Sequence, residues 1–185
     1  MLLISSKTLN HSSLTIMKSE SEFSKFAKPR LEFFWTVESF EAGGNVSTPD
    51  WYLVHPTLGY SIWIELKIVK NGRITFQPGQ VKWLEHHENK GGVAFVLLLS
   101  PNERGGEDVV GLFPAGRSRW LSVVNVKGKE ELGKLLSLSL TNPLPLSSPA
   151  LWESLAKELV RASGRADTRR EATRKANDGY DRGKG

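Results

Sequence analysis

The 185-residue chain contains no cysteine. Disulfide bonds and thiolate metal sites are therefore excluded, and any metal ion must be held by oxygen or histidine ligands. Long hydrophobic runs are absent as well: the longest wholly apolar segment, residues 93–99, has seven residues, whereas a bilayer-spanning helix needs about 20. The N-terminus has only a three-residue apolar start and does not resemble a signal peptide. We therefore expect no membrane association.

Positive charge is present, but its distribution is uneven. The net charge is +5, and residues 161–185 hold eight Lys/Arg against four Asp/Glu, a net of +4. The remaining 160 residues therefore carry 17 basic and 16 acidic side chains, a net of +1. The basic C-terminal segment, residues 161–185, can attract phosphates without sequence preference. It can equally serve only to keep the protein soluble. Charge alone does not identify a nucleic-acid-binding protein.

Composition also predicts the domain organisation. We expect an N-terminal extension without fixed structure over residues 1–18, in which Met17 opens the more convincing sequence. A folded domain over 19–140 and a linker with a C-terminal helix over 141–162 follow. The basic tail, 163–185, has almost no apolar residues and is predicted to be disordered.

The chain between these ends alternates helical and strand patterns. Ser19-Glu20-Ser21-Glu22 predicts a helix start, and Pro29 the helix end. Strands are expected at 33–40, 50–55, 60–69, 93–99 and 109–113, and helices from Pro78 to about Lys90, through much of 117–140, and at 149–161. This order predicts an α/β fold in which helices flank a mixed central β-sheet.

The strand at 60–69 has a clear period of two residues. One face carries Tyr60, Ile62, Ile64, Leu66 and Ile68, and the other carries Ser61, Trp63, Glu65, Lys67 and Val69. The first face is apolar and must be covered, so Glu65 and Lys67 lie side by side on the second. Asp50 begins the preceding strand of a predicted hairpin, which brings its carboxylate toward that of Glu65.

Two neighbouring carboxylates raise each other's pKa unless a cation lies between them. Oxygen ligands with room for water are typical of a Mg²⁺ or Mn²⁺ site. Such an ion lowers the pKa of a bound water and neutralises charge on a phosphate. Lys67, two residues from Glu65, is placed to orient that water or to stabilise the developing charge. Asp50, Glu65 and Lys67 therefore favour hydrolysis of a phosphodiester.

These residues resemble a known family. Pro49-Asp50, fourteen residues, then Glu65-Leu66-Lys67 is similar to the signature of PD-(D/E)XK nucleases. After twelve further residues comes Gln80, and then Gly91-Gly92 and an apolar strand, an order that resembles the VRR-NUC branch and its stand-alone phage and bacterial members. The resemblance spans roughly residues 20–124. It implies a restriction-endonuclease-like core and a cytoplasmic protein of a bacterial or phage-infected cell.

The resemblance also implies roles for individual residues. Asp50, Glu65 and the backbone carbonyl of Leu66 would bind Mg²⁺ or Mn²⁺, and Lys67 would serve the attacking water. Gln80 would align the strand or the phosphate; its alternative role is to cap its own helix or to bond the preceding loop. Residues that could complete the outer shell of the metal site are Glu38 and Glu20 (or Glu22).

Two positions depart from the family's pattern. Ser47-Thr48 stands where the family usually has a glycine before its X-Pro-Asp, and Thr36 stands where an arginine often occurs two residues before the strand glutamate. The first position concerns the backbone beside Asp50, and the second a DNA contact.

Other candidates are weaker. Trp63 could stack on a base, although core packing is the more common role. Candidate phosphate contacts are Lys82, Arg117 and Arg119, which are equally ordinary surface charges. His86 and His87 point about a hundred degrees apart on a helix and cannot share one metal ion.

We therefore expect a metal-dependent nuclease acting on DNA, in which branched or otherwise structured forms are the candidate substrates that the resemblance implies. The near-neutral folded part leads to the further hypothesis of a homodimer or partner that adds contacts. The rival hypothesis is a catalytically silent nucleic-acid-binding module with the same fold, which predicts loss of a metal ligand or of the lysine. A third, an interaction protein, leaves Glu65 and Lys67 unexplained.

Overall fold

The computed structural model describes residues 17–40, 47–101, 107–142 and 144–182, without the side chains of Arg169 and 173–182. The strands in these residues are Thr36–Ser39 (β1), Trp51–Val54 (β2), Ser61–Lys70 (β3), Arg73–Ile74 (β4), Ala94–Ser100 (β5), Val109–Pro114 (β6) and Leu144–Pro145 (β7). The helices are Glu20–Leu31 (α1), Gln80–Asn89 (α2), Ser118–Val123 (α3), Lys129–Ser137 (α4) and Pro149–Arg182 (α5), with a 3₁₀ turn at Ala115–Arg117. None of these helices is both long and apolar enough to cross a bilayer.

The strands form one mixed sheet in the order β1-β2-β3-β5-β6-β7, with β4 paired to β3. The β1–β2, β2–β3, β3–β4, β5–β6 and β6–β7 pairs are antiparallel, and β3 and β5 run parallel with α2 in the connection between them. A parallel pair needs such a crossover, because the chain must return to the same end of the sheet. The predicted α/β fold with a mixed, helix-flanked sheet is confirmed.

Helices cover both faces of the sheet. Ile62, Ile64 and Leu66 of β3 pack on the face covered by α1 and α5, as the two-residue period of this strand predicts. The opposite face is covered by α2, α3 and α4, whose Leu84, Leu121 and Leu135 pack against Val96 and Leu98 of β5. Strand β5 is buried at every position, which confirms the prediction of a strand covered on both faces.

The first helix begins as predicted but ends later. The Ser19 hydroxyl accepts a hydrogen bond from the Glu22 N–H at 3.1 Å. Pro29 lies inside α1, which continues to Leu31. The prediction of an end near Pro29 is wrong by two residues, because burial of Ala27 and Leu31 against the sheet holds the last turn in place. The first strand begins only at Thr36, since the N–H groups of Phe34 and Trp35 bond the Leu31 carbonyl.

The C-terminal region also differs from expectation. The linker contains strand β7, and α5 continues to Arg182 through the tail predicted to be disordered. Ser163 is buried and donates to the Leu159 carbonyl at 2.9 Å, while Arg170 Nε donates to the Gly91 carbonyl at 2.8 Å. Composition underestimated this segment because Ala, Arg and Glu are good helix formers that need few core contacts.

Three predictions fall on residues outside the described ranges. These are the extension over 1–16, the break over 42–45 and most of the polar loop over 100–107. Met17, within the described part, is buried, and its N–H donates to Asp108 Oδ2 at 3.1 Å.

The β3–β4 turn allows a matched test of a backbone constraint at the end of the strand that carries Glu65 and Lys67. Gly72 and Gly59 have φ angles of +71° and +66°, but a Cβ on Gly72 would lie 2.4 Å from the Val126 carbonyl oxygen, and one on Gly59 would meet nothing within 4 Å. We expect Gly72→Ala to lower the free energy of unfolding by about 2–4 kcal/mol and Gly59→Ala by about 1–2 kcal/mol. Urea denaturation checks this, and equal losses would contradict it.

Candidate functional site

The candidate site lies next to the N-terminal end of strand β2, which begins at Trp51. The β2–β3 register stops at the pair Trp51 and Ile64, so no β2 residue lies beside the following part of β3. The Asp50 Oδ2 atom accepts the Leu66 N–H there at 2.7 Å. Because the N–H and C=O of one strand residue point to the same edge, the Leu66 carbonyl faces the same opening.

Glu65 and Lys67 form an ion pair inside the sheet. Their side chains are 0% and 2% exposed, and Lys67 Nζ lies 2.6 Å from Glu65 Oε1. Glu65 Oε1 has only the Lys67 ammonium as a partner, and Glu65 Oε2 has no hydrogen-bond partner among the described residues. Burying two charges costs several kcal/mol per ion. The unpartnered oxygen adds to that cost, so such an arrangement needs a reason beyond stability.

Helix α1 also contributes a side chain next to Lys67. Glu20 lies in the first turn of α1, and its Oε1 is 3.5 Å from Lys67 Nζ. One ammonium therefore faces the carboxylates of Glu20, Asp50 and Glu65. If all four groups are ionised, the cluster carries a net charge of −2, which favours a cation.

Burial and mutual repulsion shift the ionisation of this cluster. Burial, with the charge of Asp50, raises the pKa of Glu65 from 4.5 to about 8 against the opposing effect of Lys67. Burial likewise raises the pKa of Asp50, despite the hydrogen bond from Leu66, and that of Glu20. Burial lowers the pKa of Lys67, but Glu65, Glu20 and Asp50 together outweigh this and raise it. The cluster therefore holds a proton near neutral pH that a bound cation would displace.

Three members of the cluster line a cleft of about 950 Å³ between α1 and the β2–β3 hairpin, whereas the fully buried Glu65 is not among its lining residues. The inner wall of this cleft carries Glu20, Asp50, Leu66, Lys67 and Gln80. The side chains of α1 that line it include Lys25 and Lys28, and Phe40 lines it beside Asp50. An acidic interior with lysines on one wall suits a ligand that brings both a cation and anionic groups.

The donor set fits a hard divalent cation. No group of three or more His, Asp or Glu side chains suited to holding a metal occurs in the described ranges. The oxygen atoms available as metal ligands are those of the Asp50 and Glu65 carboxylates and of the Leu66 carbonyl. Mg²⁺ commonly binds through one or two carboxylates and keeps several waters, and the unpartnered Glu65 Oε2 supplies one such donor atom. The set suits Mg²⁺ or Mn²⁺, whereas a zinc site usually has nitrogen or sulfur ligands.

The weaker candidate site residues lie at different distances from Glu65 and Lys67. Glu20 joins the cluster, whereas Glu38 is exposed and pairs in register with Tyr52, away from Glu65. Gln80 is buried and lines the cleft, but its Oε1 accepts the Gln77 N–H at 2.7 Å. It therefore bonds the preceding loop, which was the alternative to a catalytic role.

None of the three predicted phosphate contacts lines the cleft. Lys82 and Arg117 are exposed, and Arg119 makes a two-pronged ion pair with Glu85 of α2 at 2.7 and 2.5 Å. Trp63 is partly exposed on the Glu65 face and contacts other aromatic rings.

Sequence reasoning missed the lysines of α1. Ser21, Lys25, Lys28 and Glu32 recur at helical spacing and line the cleft together. This polar face, opposite the buried Phe23 and Ala27, was the available signal. Phe40 was missed because the sequence predicts it only as a strand end.

No protein-family model matches this chain, and no curated protein matches it significantly. The resemblance to PD-(D/E)XK nucleases therefore rests on Pro49-Asp50, on Glu65-Leu66-Lys67, and on the order of the elements that carry them.

The raised pKa of Glu65 has a consequence for stability. Between pH 4.5 and about 8 the folded protein binds a proton at Glu65 that the unfolded chain has lost, so the free energy of unfolding falls as the pH rises through this window. Each pKa unit corresponds to about 1.4 kcal/mol. We expect the decline in the free energy of unfolding across this pH window to be smaller by a few kcal/mol in Glu65→Gln than in the wild type.

Urea denaturation in EDTA, repeated from pH 5 to pH 9, measures this effect. Glu153→Gln, at an exposed position of α5, is the matched control and should keep the wild-type slope. A Glu65→Gln slope equal to that of the wild type would contradict the prediction.

Proposed function

We propose that the protein is a Mg²⁺- or Mn²⁺-dependent nuclease that hydrolyses phosphodiester bonds in DNA. The observation that carries this proposal is the cluster of Lys67 with Glu65, Glu20 and Asp50 at one cleft. Glu20, Asp50 and Lys67 line this cleft, and Glu65 Oε2 has no hydrogen-bond partner among the described residues. A buried ammonium amid an excess of carboxylates is the chemistry expected where a cation and a phosphate meet.

The roles follow from the geometry. A divalent ion held by Asp50, Glu65 and the Leu66 carbonyl would lower the pKa of a water and neutralise phosphate charge. Lys67 Nζ has three N–H donors, of which those not directed at Glu65 and Glu20 can orient a water or bond a phosphate oxygen. The positive charge of its ammonium group would stabilise the negative charge that develops on the phosphate. The hydrogen bond from Leu66 fixes the Asp50 carboxylate.

The order of the elements supports assignment to the PD-(D/E)XK superfamily, with a VRR-NUC-like arrangement. The residues that the resemblance implies lie on successive elements: Glu20 on α1, Glu38 on β1, Asp50 before β2, Glu65 and Lys67 on β3, and Gln80 at the start of α2. Strand β5 then pairs parallel to β3. Cytoplasmic location and a homodimer stay predictions.

Lys25 and Lys28 of α1 supply a means of holding DNA at this cleft. Lys25 is exposed, and Lys28 Nζ donates to Ser39 Oγ at 2.9 Å, which holds its charge on the cleft wall. Phosphate contacts of this kind position a nucleic acid without reading its sequence.

The rival function is a silent nucleic-acid-binding module. Loss of activity in a nuclease fold would be expected to remove the lysine or a carboxylate, since keeping them buried costs free energy. Asp50, Glu65 and Lys67 are all present, with Lys67 paired to Glu65 and Asp50 bonded to the intervening Leu66, which favours the enzyme.

Cleavage of supercoiled, linear, single-stranded and branched DNA in Mg²⁺, Mn²⁺ or EDTA tests the proposal. We expect metal-dependent cleavage that falls at least 100-fold in Lys67→Ala and in Asp50→Asn. Lys157→Ala, at an exposed position of α5, is the control and should retain wild-type rates. Cleavage that survives in Lys67→Ala would contradict the assignment, and no cleavage on any substrate would favour the silent module.

A further inference from the structure

A line of contacting rings leads away from the cleft. We define the aromatic row as Phe40, Tyr52, Trp63, Trp83 and His87. Phe40 and Tyr52 each contact Trp63, with ring centroids 5.1 and 4.8 Å apart. Trp63 contacts Trp83 at 5.4 Å, and Trp83 stacks on His87 at 4.8 Å with planes only 12° apart.

The aromatic row is only partly buried, with Trp63 and Trp83 packed against the core on the α2 side of the sheet. Phe40 is 45% exposed, and the other four rings are partly exposed. By contrast, Trp35, Trp51 and Trp152 are only 1–4% exposed. A contiguous exposed aromatic surface carries a cost in water and commonly marks a binding site.

One end of the aromatic row meets the cleft. Phe40 lines the cleft, and its N–H donates to the Asp50 carbonyl at 2.9 Å. Trp63 precedes Glu65 by two residues on the same face of β3, so the rings and the catalytic candidates share one strand face.

Acidic and basic side chains both lie near the aromatic row, and the exposed Glu38 of β1 is the cross-strand neighbour of Tyr52. The acidic side chains of α2 turn away from it: Glu85 pairs with Arg119 of α3, and Glu88 lies beside Gly116. The exposed Lys82 and His86 lie on either side of Trp83 in the sequence of α2, one residue before it and three residues after it.

The far end of the aromatic row meets the basic helix α5. Arg170 binds the Gly91 carbonyl beside His87. Together with Arg165 it lines a second cleft of about 720 Å³ between α5 and the α2–β5 turn. Burial, Arg170 and His86 lower the pKa of His87, so its ring is neutral and can stack like the others at pH 7.

We propose that the aromatic row stacks unpaired bases, so that a single-stranded segment of the substrate runs from the cleft toward the arginines of α5. This inference rests on the proposed nuclease function and adds to it the substrate class: DNA with an unpaired segment next to the cut site. Base stacking on aromatic side chains is tolerant of sequence, because every base has a π-face. Lysines and arginines along the path would bind the phosphates.

Fluorescence anisotropy in EDTA tests this without cleavage, with a labelled 15-nucleotide oligo-dT and a 15-base-pair duplex as probes. The variants are Phe40→Ala and Trp83→Leu. Each has a matched control outside the aromatic row: Phe33→Ala, at an 86% exposed phenylalanine, and Trp120→Leu, at a partly exposed tryptophan of α3. Thermal melting of each variant shows that it is folded.

We expect the wild type to prefer oligo-dT, and Phe40→Ala and Trp83→Leu each to weaken its binding at least fivefold. Duplex binding should change less than twofold, and the controls should leave both probes unaffected. Unchanged oligo-dT binding in both variants, equal weakening for the duplex, or equal weakening by the controls would each overturn the proposal.

The outcomes separate this inference from the nuclease assignment. Metal-dependent cleavage with unaltered oligo-dT binding in the variants would reject the aromatic row alone. Loss of oligo-dT binding in the variants, with no cleavage by the wild type on any substrate, would reject the nuclease and keep the aromatic row as a binding surface.

Discussion

The buried pair of Lys67 and Glu65 is the interaction on which the site depends. The two residues are adjacent on one face of β3 because strand side chains alternate, and both are almost fully removed from water. Removing one partner of a buried pair leaves an uncompensated charge and costs about 3–5 kcal/mol. Hydrophobic residues would often be as stable at such positions. Keeping the charges there is therefore best explained by a function that uses them.

The rest of the site follows from how the sheet ends around this pair. Because β2 begins only at Trp51, the preceding Asp50 carboxylate occupies the place of a strand neighbour and accepts a hydrogen bond from the Leu66 N–H. Glu20 enters from the first turn of α1, where the helix dipole stabilises a negative charge. The result is an acidic opening in a sheet edge, with lysines on one wall and the aromatic row leading outward. The groups that we propose for metal binding, phosphate binding and strand guidance thus lie on neighbouring parts of one surface.

Much of this arrangement is predictable from local pattern. The period of β3 separates Glu65 and Lys67 from the core side chains, and the hairpin turn fixes Asp50 beside them. The choice between Glu20 and Glu38 is not predictable in this way, because Glu20 meets Lys67 across 47 residues of sequence through the packing of α1. The aromatic row is equally hidden, since its rings come from separate elements that only the folded sheet and α2 bring together. Composition predicts a disordered tail after the apolar part of α5. In the structure, helix propensity and contacts such as that of Arg170 extend the helix beyond this apolar part.

Direct titration of Mn²⁺ by calorimetry, at pH 6 and pH 8.5, tests the central claim that this cluster is a divalent-cation site. The account predicts binding that tightens by about tenfold or more at the higher pH, since the proton held by Glu65 near pH 8 no longer has to be displaced. It also predicts that Glu65→Gln abolishes this binding. Absence of Mn²⁺ binding to the wild type at both pH values, or equal binding to Glu65→Gln, would contradict the account.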